Sequence, residues 1–365
     1  MKRIMIAMGT RPEAIKLCPL VKELRARNRD EITVLSTGQH REMLDSALTV
    51  FGIKPDYELD VMRTGQTLSD VTARILRRTD EVLVAERPDL LLVQGDTTTA
   101  FATALAAFHR HIRVGHVEAG LRTYRMYAPF PEELYRQAIG LFADYHFAPT
   151  VAAKKNLIRE GKHEATVYVT GNTVVDALRM TLAQQPPPAD WSFLEGKRLL
   201  IFTAHRRENI GTTLCGMLSA LRRIVDAHPD IVAIFPVHHN PEVRGLACKI
   251  LHDHPRIRMM EPPQFVTFHH LLARATLIMT DSGGIQEEAC ALGVPTMVLR
   301  NSSERTEGLM SGVLKLAGTD EEGIVSLAER LLDPDSDLYP TMKKKSSVYG
   351  DGKASVRIAD ILERL

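Results

Sequence analysis

The sequence predicts an α/β fold made of two doubly wound halves, each a parallel sheet flanked by helices. Short apolar runs of strand length alternate with longer segments in which apolar side chains recur three and four residues apart. This alternation stops at Gln184-Gln185-Pro186-Pro187-Pro188, which cannot continue a helix, and then resumes. The length of 365 residues also exceeds what one hydrophobic core usually organises.

The first half contains six apolar runs that we predict to be strands. Helical periodicity fills the gaps between them, as at residues 14–27 and 98–109. Strands separated by helices pair in parallel through right-handed crossovers, which predicts a Rossmann-like half. The six predicted strands are residues 3–7, 32–36, 90–93, 114–117, 146–148 and 167–169.

The second half repeats the pattern after the proline-rich break. We therefore predict a first domain over residues 1–175 and a second, nucleotide-binding domain over residues 176–349. Ligands of open α/β sheets bind outside the carboxyl ends of the strands, so we expect the functional site in a cleft between the halves. The predicted strands of the second half are residues 199–203, 232–236, 258–260, 277–280 and 296–299.

The composition excludes several classes of function. The 46 basic and 45 acidic side chains nearly cancel, so nucleic acid and anionic membranes are not expected partners. Four widely spaced cysteines suit reduced thiols and a cytoplasmic location. The apolar run over residues 1–8 is too short for a signal peptide or a membrane span.

The segment from Thr280 to Glu288 follows an apolar run and reads as a strand, a tight turn and a helix start. Gly283 and Gly284 would let a ligand approach the backbone, and the N–H groups of the first helical turn would face it. The expected ligand is a diphosphate, with Glu288 placed to accept hydrogen bonds from ribose hydroxyls. Alternatively, the glycines only turn the chain and the acidic residues only favour the helix N-terminus.

Two basic residues follow the first strand. Arg11 comes at the start of the next helix, where its guanidinium would clamp phosphate oxygens, and Lys16 one turn later would add a point charge. Both residues could instead be ordinary surface residues.

Three acidic segments in the first half carry Asp96, Glu118 and Glu132. Asp96 and Glu118 each follow an apolar strand, and neighbouring carboxylates raise one another's proton affinity, as an acid and a base near neutral pH require. The alternatives are structural: Asp96 would cap the next helix, Glu118 would pair with Arg122, and Glu132 would favour a helix N-terminus.

Histidines and arginines follow two strands of the second half. His205, Arg206 and Arg207 come after the first of these strands and would neutralise a phosphate, while His238 and His239 come after the next. The histidines lack a recognised metal-ligand spacing, so we expect no metal site.

Motifs along nearly the whole chain closely resemble the non-hydrolysing bacterial UDP-N-acetylglucosamine 2-epimerases. The resemblance implies a GT-B fold, in which the helix at residues 350–365 crosses back to the first domain. It also implies a homodimer that needs no cofactor and that interconverts UDP-N-acetylglucosamine and UDP-N-acetylmannosamine for surface polysaccharides. The motifs are Gly9-Thr10-Arg11-Pro12-Glu13-Ala14-Ile15-Lys16, Gln39-His40-Arg41-Glu42-Met43-Leu44, Gly95-Asp96-Thr97-Thr98-Thr99, His116-Val117-Glu118-Ala119-Gly120-Leu121-Arg122-Thr123, Thr170-Gly171-Asn172-Thr173, His205-Arg206-Arg207-Glu208, Asp281-Ser282-Gly283-Gly284-Ile285-Gln286-Glu287-Glu288 and Tyr349-Gly350-Asp351-Gly352.

The resemblance also implies roles for individual residues. UDP would be eliminated and re-added through 2-acetamidoglucal, with a carboxylate removing the C2 proton. Phe268 would pack on uracil. The implied catalytic residues are Asp96, Glu118, Glu132 and His205; the implied substrate contacts are Arg11, Lys16, Arg136, Phe268, Ser282, Gly283, Gly284 and Glu288; the implied contacts of a second, regulatory UDP-sugar are Gln39, Arg206 and His238.

The chain departs from the family pattern at a few positions. Tyr135 replaces an asparagine beside Arg136, and the segment 300–308 and Val313 also differ. These departures leave open an epimerase for a modified UDP-sugar. A glycosyltransferase is a second alternative because the GT-B fold hosts many of them. A silent nucleotide-sugar-binding protein is a third, which the intact acidic residues and His205 argue against.

Overall fold

The computed structural model describes residues 1–39, 41–186, 190–206, 209–303 and 305–365, and only the backbone of residues 41 and 42. Their contacts divide the chain into two compact units. The first unit comprises Met1–Met180 and Gly350–Leu365, and the second unit comprises Thr181–Tyr349.

The first unit is built on a seven-stranded parallel sheet in the order β3-β2-β1-β4-β5-β6-β7. The order reverses at β1, which is the doubly wound pattern. The central strands are buried apolar runs, as expected for strands covered on both faces. The strands are β1 (Arg3–Met8), β2 (Glu31–Ser36), β3 (Tyr57–Glu58), β4 (Leu90–Gln94), β5 (Arg113–Val117), β6 (Tyr145–Ala148) and β7 (Val167–Val169).

Helices connect these strands. The alanine-rich α4 packs against both α3 and α5, because its small side chains allow close approach. The helices are α1 (Arg11–Arg27), α2 (Arg41–Phe51), α3 (Leu68–Glu86), α4 (Thr98–His109), α5 (Glu132–Phe142), α6 (Val151–Arg159) and α7 (Thr173–Leu182).

The second unit has a six-stranded parallel sheet in the order β10-β9-β8-β11-β12-β13. One large apolar cluster fills it, in which Phe202 and Phe235 meet edge to face. Its strands are β8 (Arg198–Thr203), β9 (Ile231–Pro236), β10 (Ile257–Met260), β11 (Leu277–Thr280), β12 (Thr296–Val298) and β13 (Leu314–Leu316); its helices are α8 (Thr212–Ala227), α9 (Pro241–Leu251), α10 (Phe265–Arg274), α11 (Gly283–Leu292), α12 (Thr306–Met310), α13 (Glu321–Leu332) and α14 (Leu338–Met342).

The last helix, α15 (Ala354–Arg364), belongs to the first unit and packs on α1. Asp176 accepts hydrogen bonds from the N–H groups of Ala354 (3.1 Å) and Ser355 (2.8 Å), and so satisfies donors at the start of this helix. Arg27 of α1 contacts Asp360 at 2.7 Å. The end of the chain therefore completes the first unit.

The α/β class with two doubly wound parallel sheets is confirmed. All eleven predicted strands are present, whereas β3 (Tyr57–Glu58) and β13 (Leu314–Leu316) escaped prediction, since each places a charged residue in a strand of only two or three residues. Among the described residues, no helix combines the length and the apolar composition that crossing a membrane requires.

Candidate active site

Asp96 and Glu118 follow neighbouring strands of the first sheet. Gln94 of β4 pairs in register with Val117 of β5, so both acidic residues leave the sheet at the same edge. Gly95 (φ +70°) and Glu118 (φ +63°) adopt left-handed backbone conformations that end these strands sharply. For Glu118 this conformation is costly without a glycine and is typical of functional sites.

Basic and amide groups hold the Glu118 carboxylate. Lys16 Nζ contacts Glu118 Oε2, and the Gln94 side-chain amide donates to the same oxygen at 2.6 Å. The side chains of Lys16 and Glu118 are only 13% and 7% exposed. The Lys16 ammonium, predicted to meet phosphate, is therefore paired with a predicted catalytic carboxylate.

Asp96 pairs with Arg136 of α5, whose Nη2 lies 2.6 Å from Asp96 Oδ2. Arg136 is 6% exposed; its Nε lies 3.6 Å from the Glu133 carboxylate, and within the described part of the chain its Nη1 has no hydrogen-bond partner. Buried donors of this kind are rare in folded proteins and indicate a place for acceptor atoms. Glu132 is the half-buried first residue of α5, one turn before Arg136.

Two structural alternatives for the acidic residues are wrong. Thr97 is the N-cap of α4, because its hydroxyl accepts from the N–H of Ala100, so Asp96 does not cap this helix. Arg122 pairs with Glu160 through two hydrogen bonds of 2.8 Å rather than with Glu118.

Glu13 ties the turn after β1 to the turn after β4. Its carboxylate accepts hydrogen bonds from the N–H groups of Gly9 (3.0 Å) and Thr10 (2.8 Å) and from the hydroxyl of Thr97 (2.6 Å). Burial raises the pKa of Glu13, although these hydrogen bonds oppose the rise. The effect is to fix Arg11, the first residue of α1, relative to the Asp96 loop.

Gln39 joins the same region, because its side-chain oxygen accepts from the hydroxyl of Thr99 at 3.0 Å. Gly9 is needed there, since a Cβ atom would clash with the hydroxyls of Thr37 and Thr99. Tyr135 stacks on Phe101, with ring centroids 4.8 Å apart and an interplanar angle of 6°. Tyr135, which differs from the residue typical of the family, therefore packs between α4 and α5.

The predicted anion turn of the second unit follows β11. Ser282 is the N-cap of α11, and Gly283 and Gly284 are its first two residues, as the sequence predicts. A Cβ atom on Gly284 would meet nothing within 4 Å, whereas one on Gly283 would lie 3.0 Å from Arg305 Cζ. The helix N-terminus favours an anion at this turn, and the Arg305 guanidinium beside it pairs through Nε with the buried Glu287 carboxylate at 3.1 Å.

Asp281 lies under this turn and is fully buried. Its carboxylate accepts from the N–H groups of His205 (3.1 Å) and Arg206 (3.0 Å) and from the Asn209 side chain (3.0 Å). The Arg206 side chain donates through Nε to the carbonyl oxygen of Asp281 at 2.9 Å. The loop after β8 and the turn after β11 are thereby joined.

The His205 ring lies beside Asp281, and the His205 side chain is 42% exposed. The ring stacks on that of His238, with centroids 5.8 Å apart. Desolvation, followed by the neighbouring His205 and His239, lowers the pKa of His238. Arg207 and Glu208 of the same motif, like His40, lie outside the described residues.

Glu288 and Phe268 lie on the packed helices α11 and α10. Glu288 is 8% exposed, and its Oε1 lies 3.5 Å from His269 Nε2. Phe268, adjacent to His269, is half-buried. Within the described ranges, no three His, Cys, Asp or Glu side chains are arranged to hold a metal ion.

Comparisons with known proteins match this chain along almost its whole length. The sequence model of the UDP-N-acetylglucosamine 2-epimerase family covers residues 22–363. A Bacillus subtilis relative named UDP-N-acetylglucosamine 2-epimerase is 49% identical over 361 residues, which are 99% of this chain and 94% of the relative.

The chain belongs to this family.

Solved structures agree with the assignment. The UDP-GlcNAc 2-epimerase from Neisseria meningitidis bound to UDP-GlcNAc is 38% identical, with a TM-score of 0.93 over 99% of this chain and 100% of that chain. The Staphylococcus aureus MnaA co-structure with UDP is 46% identical, with a TM-score of 0.94 over 100% and 96% of the two chains. The family and the GT-B class predicted from the motifs are both confirmed.

Three buried polar residues support the candidate site but were not among the predicted site residues. Gln94 binds the Glu118 side chain, Asp281 binds the His205 backbone, and Glu13 binds residues next to Arg11 and Asp96. Gln94 ends β4 and Asp281 directly follows β11, whereas Glu13 lies in the first turn of α1, where Thr10 and Glu13 have capping-box spacing. The partners Glu118, His205 and Thr97 lie 24 to 84 residues away in the sequence and leave no local pattern.

Proposed function

We propose that this chain interconverts UDP-N-acetylglucosamine and UDP-N-acetylmannosamine by inverting C2 of the sugar. The observation that carries the proposal is the match over 99% of the chain to a relative named for this activity. The Neisseria meningitidis homologue bound to UDP-GlcNAc supports the same substrate.

The first chemical requirement is departure of UDP from C1, because the C2 hydrogen is not adjacent to a carbonyl group. We assign stabilisation of the leaving diphosphate to Arg11, to His205 and to the N–H groups at Ser282, Gly283 and Gly284. Arg305 is added to this set because its guanidinium lies beside Gly283. Removing one such electrostatic contact typically costs about a hundredfold to a thousandfold in rate.

The second requirement is removal and return of the C2 proton on opposite faces of the sugar. Asp96, Glu118 and Glu132 are the carboxylates assigned to this step, with 2-acetamidoglucal as the intermediate. The Lys16 ammonium pairs with Glu118, and the Arg136 guanidinium pairs with Asp96. Nη1 of Arg136, which has no hydrogen-bond partner among the described residues, suits an oxygen atom of the substrate.

Nucleotide recognition is assigned to the second unit. Glu288 would accept hydrogen bonds from the ribose hydroxyls, and its contact with His269 would hold it in place. Phe268 would pack on uracil from the adjacent helix α10.

The reaction is tested by incubating the protein with UDP-N-acetylglucosamine in heavy water without an acceptor and following C2 by NMR. Deuterium at C2 together with the manno product is expected. Transfer of the sugar only after an acceptor is added would instead identify a glycosyltransferase. Retention of the C2 proton in recovered substrate and product would contradict the elimination route.

Glu118→Gln tests the assigned carboxylate. The variant should retain UDP affinity in calorimetry, while turnover falls by about a hundredfold or more. Glu164→Gln is the matched control, because this carboxylate is 77% exposed and pairs only with Lys154 among the described contacts. Full turnover in Glu118→Gln would remove Glu118 from the mechanism.

The proposal includes a cytoplasmic homodimer with a regulatory UDP-sugar site at Gln39, Arg206 and His238. The four cysteines are free thiols, which suits a reducing compartment. Phe108 of α4 and Leu141 of α5 are 52% and 77% exposed and offer an apolar surface for a second copy. Light scattering should give a dimer that Leu141→Lys weakens, and initial rates should rise sigmoidally with UDP-N-acetylglucosamine.

A further inference from the structure

Asp281 is the buried group on which the phosphate-facing loops of the second unit converge. Its side chain is 0% exposed, yet it accepts three hydrogen bonds from residues more than 70 positions earlier in the sequence. Nothing in the proposed mechanism uses this carboxylate. A buried charge is costly unless it is compensated, so its retention beside His205 calls for a role.

The geometry around His205 suggests that role. The backbone N–H of His205 donates to the Asp281 carboxylate, and His205 Nδ1 lies 3.4 Å from Asp281 Oδ1. The same side chain therefore binds the main chain of His205 and lies beside its ring.

We propose that Asp281 is the positioning residue of His205, fixing its ring so that Nδ1 carries a proton toward Asp281 and Nε2 faces the departing diphosphate. A carboxylate beside one ring nitrogen selects the tautomer with the proton on that nitrogen. Nε2 takes up a second proton from solvent water, and the resulting cation keeps this proton while donating a hydrogen bond to a phosphate oxygen as negative charge develops on it.

Arg206 strengthens the arrangement. The Arg206 backbone N–H donates to the Asp281 carboxylate, and Arg206 Nε donates to the Asp281 carbonyl oxygen. Arg206 therefore joins the loop after β8 to both the side chain and the backbone of Asp281. Because Ser282 and Gly283 follow Asp281 directly, the anchor also sets the imidazole relative to the N-terminus of α11. The second unit would thus present a preorganised anion site.

A double-mutant cycle tests the inference, which rests on the proposed epimerisation. In the wild-type background, Asp281→Asn should lower kcat by about tenfold to a hundredfold and leave the Kd for UDP within about threefold. In a His205→Ala background the same substitution should lower kcat by less than about threefold, because the residue that Asp281 positions is gone. Equal losses in the two backgrounds would overturn the positioning role.

A control separates positioning from support of the loop. Asn209→Ala removes one hydrogen bond to Asp281 and leaves the carboxylate and His205 in place, so kcat should stay within about threefold. A loss in Asn209→Ala as large as that in Asp281→Asn would mean that Asp281 only supports the loop. If the wild-type protein has no epimerase activity, the proposed function is overturned as well. Equal kcat losses in the two backgrounds, or an equal loss in Asn209→Ala, overturn this inference alone.

If Asp281→Asn does not fold, a measurement on the wild-type protein still tests the inference. In ¹⁵N-labelled wild-type protein, at a pH where the ring is neutral, the His205 signals should show the proton on Nδ1. Their absence from the His205→Ala spectrum identifies them. A neutral ring with its proton on Nε2 would overturn the inference.

Discussion

Removal of the Lys16 ammonium is the sharpest test of how the first unit holds its carboxylates. Lys16 and Glu118 are 13% and 7% exposed, so Lys16→Met takes a cation away from a nearly buried carboxylate. Breaking a buried pair from one side costs about 3–5 kcal/mol, and the residual exposure argues for about 3 kcal/mol. For a unit of this size that corresponds to a fall in Tm of about 6–12 °C.

The double variant Lys16→Met/Glu118→Gln provides the decisive comparison. It buries no charge at this place, so it should regain most of the lost stability while remaining inactive as an epimerase. Differential scanning calorimetry without ligand measures the stability, and the NMR assay in heavy water measures turnover.

Lys154→Met is the matched control for Lys16→Met. Its partner Glu164 is 77% exposed, so the substitution should change the free energy of unfolding by less than about 0.5 kcal/mol. The reasoning is refuted if Lys16→Met has the same Tm as the wild type, or if the double variant is no more stable than Lys16→Met.

Three further predictions concern packing and pH. Gly120→Ala should lower stability by about 2 kcal/mol or more in urea unfolding, because φ is +89° and the new methyl group would clash with the Ala153 carbonyl oxygen. Tyr135→Phe should leave Tm unchanged because the stack on Phe101 survives, whereas Tyr135→Ala should cost about 3 kcal/mol; equal melting of the two variants would contradict this. Burial lowers the pKa of His116 to about 3 and that of His146 to about 4, so below about pH 6.5 the unfolded chain binds protons that the folded protein excludes. Stability should therefore fall as the pH drops from about 6.5 to 4, by up to about 1.4 kcal/mol per pH unit for each histidine, and His146→Leu should show a shallower slope in urea titrations at several pH values.

The strands could be predicted closely from the sequence because buried parallel strands are continuous apolar runs with sharp ends. Leu277–Thr280 is an example, since its four residues are buried and match their predicted bounds. Tyr57–Glu58 and Leu314–Leu316 were missed because pairing at the edge of a sheet, rather than an apolar pattern, makes them strands.

The candidate site could be predicted only in part. Strand ends indicate which residues leave the sheets together, and this brought Asp96 and Glu118 to one edge. The partners of these residues could not be predicted, because the pairs join distant positions. Lys16 lies 102 residues before Glu118, and His205 lies 76 residues before Asp281.

The placement of α15 has a consequence for how the protein is made. Synthesis proceeds from the N-terminal side, so the surface of α1 that packs against α15 stays uncovered until the second unit has been translated. We expect the nascent first unit to associate with chaperones through this surface. Packing of the first unit would then be completed only after α15 has been synthesised.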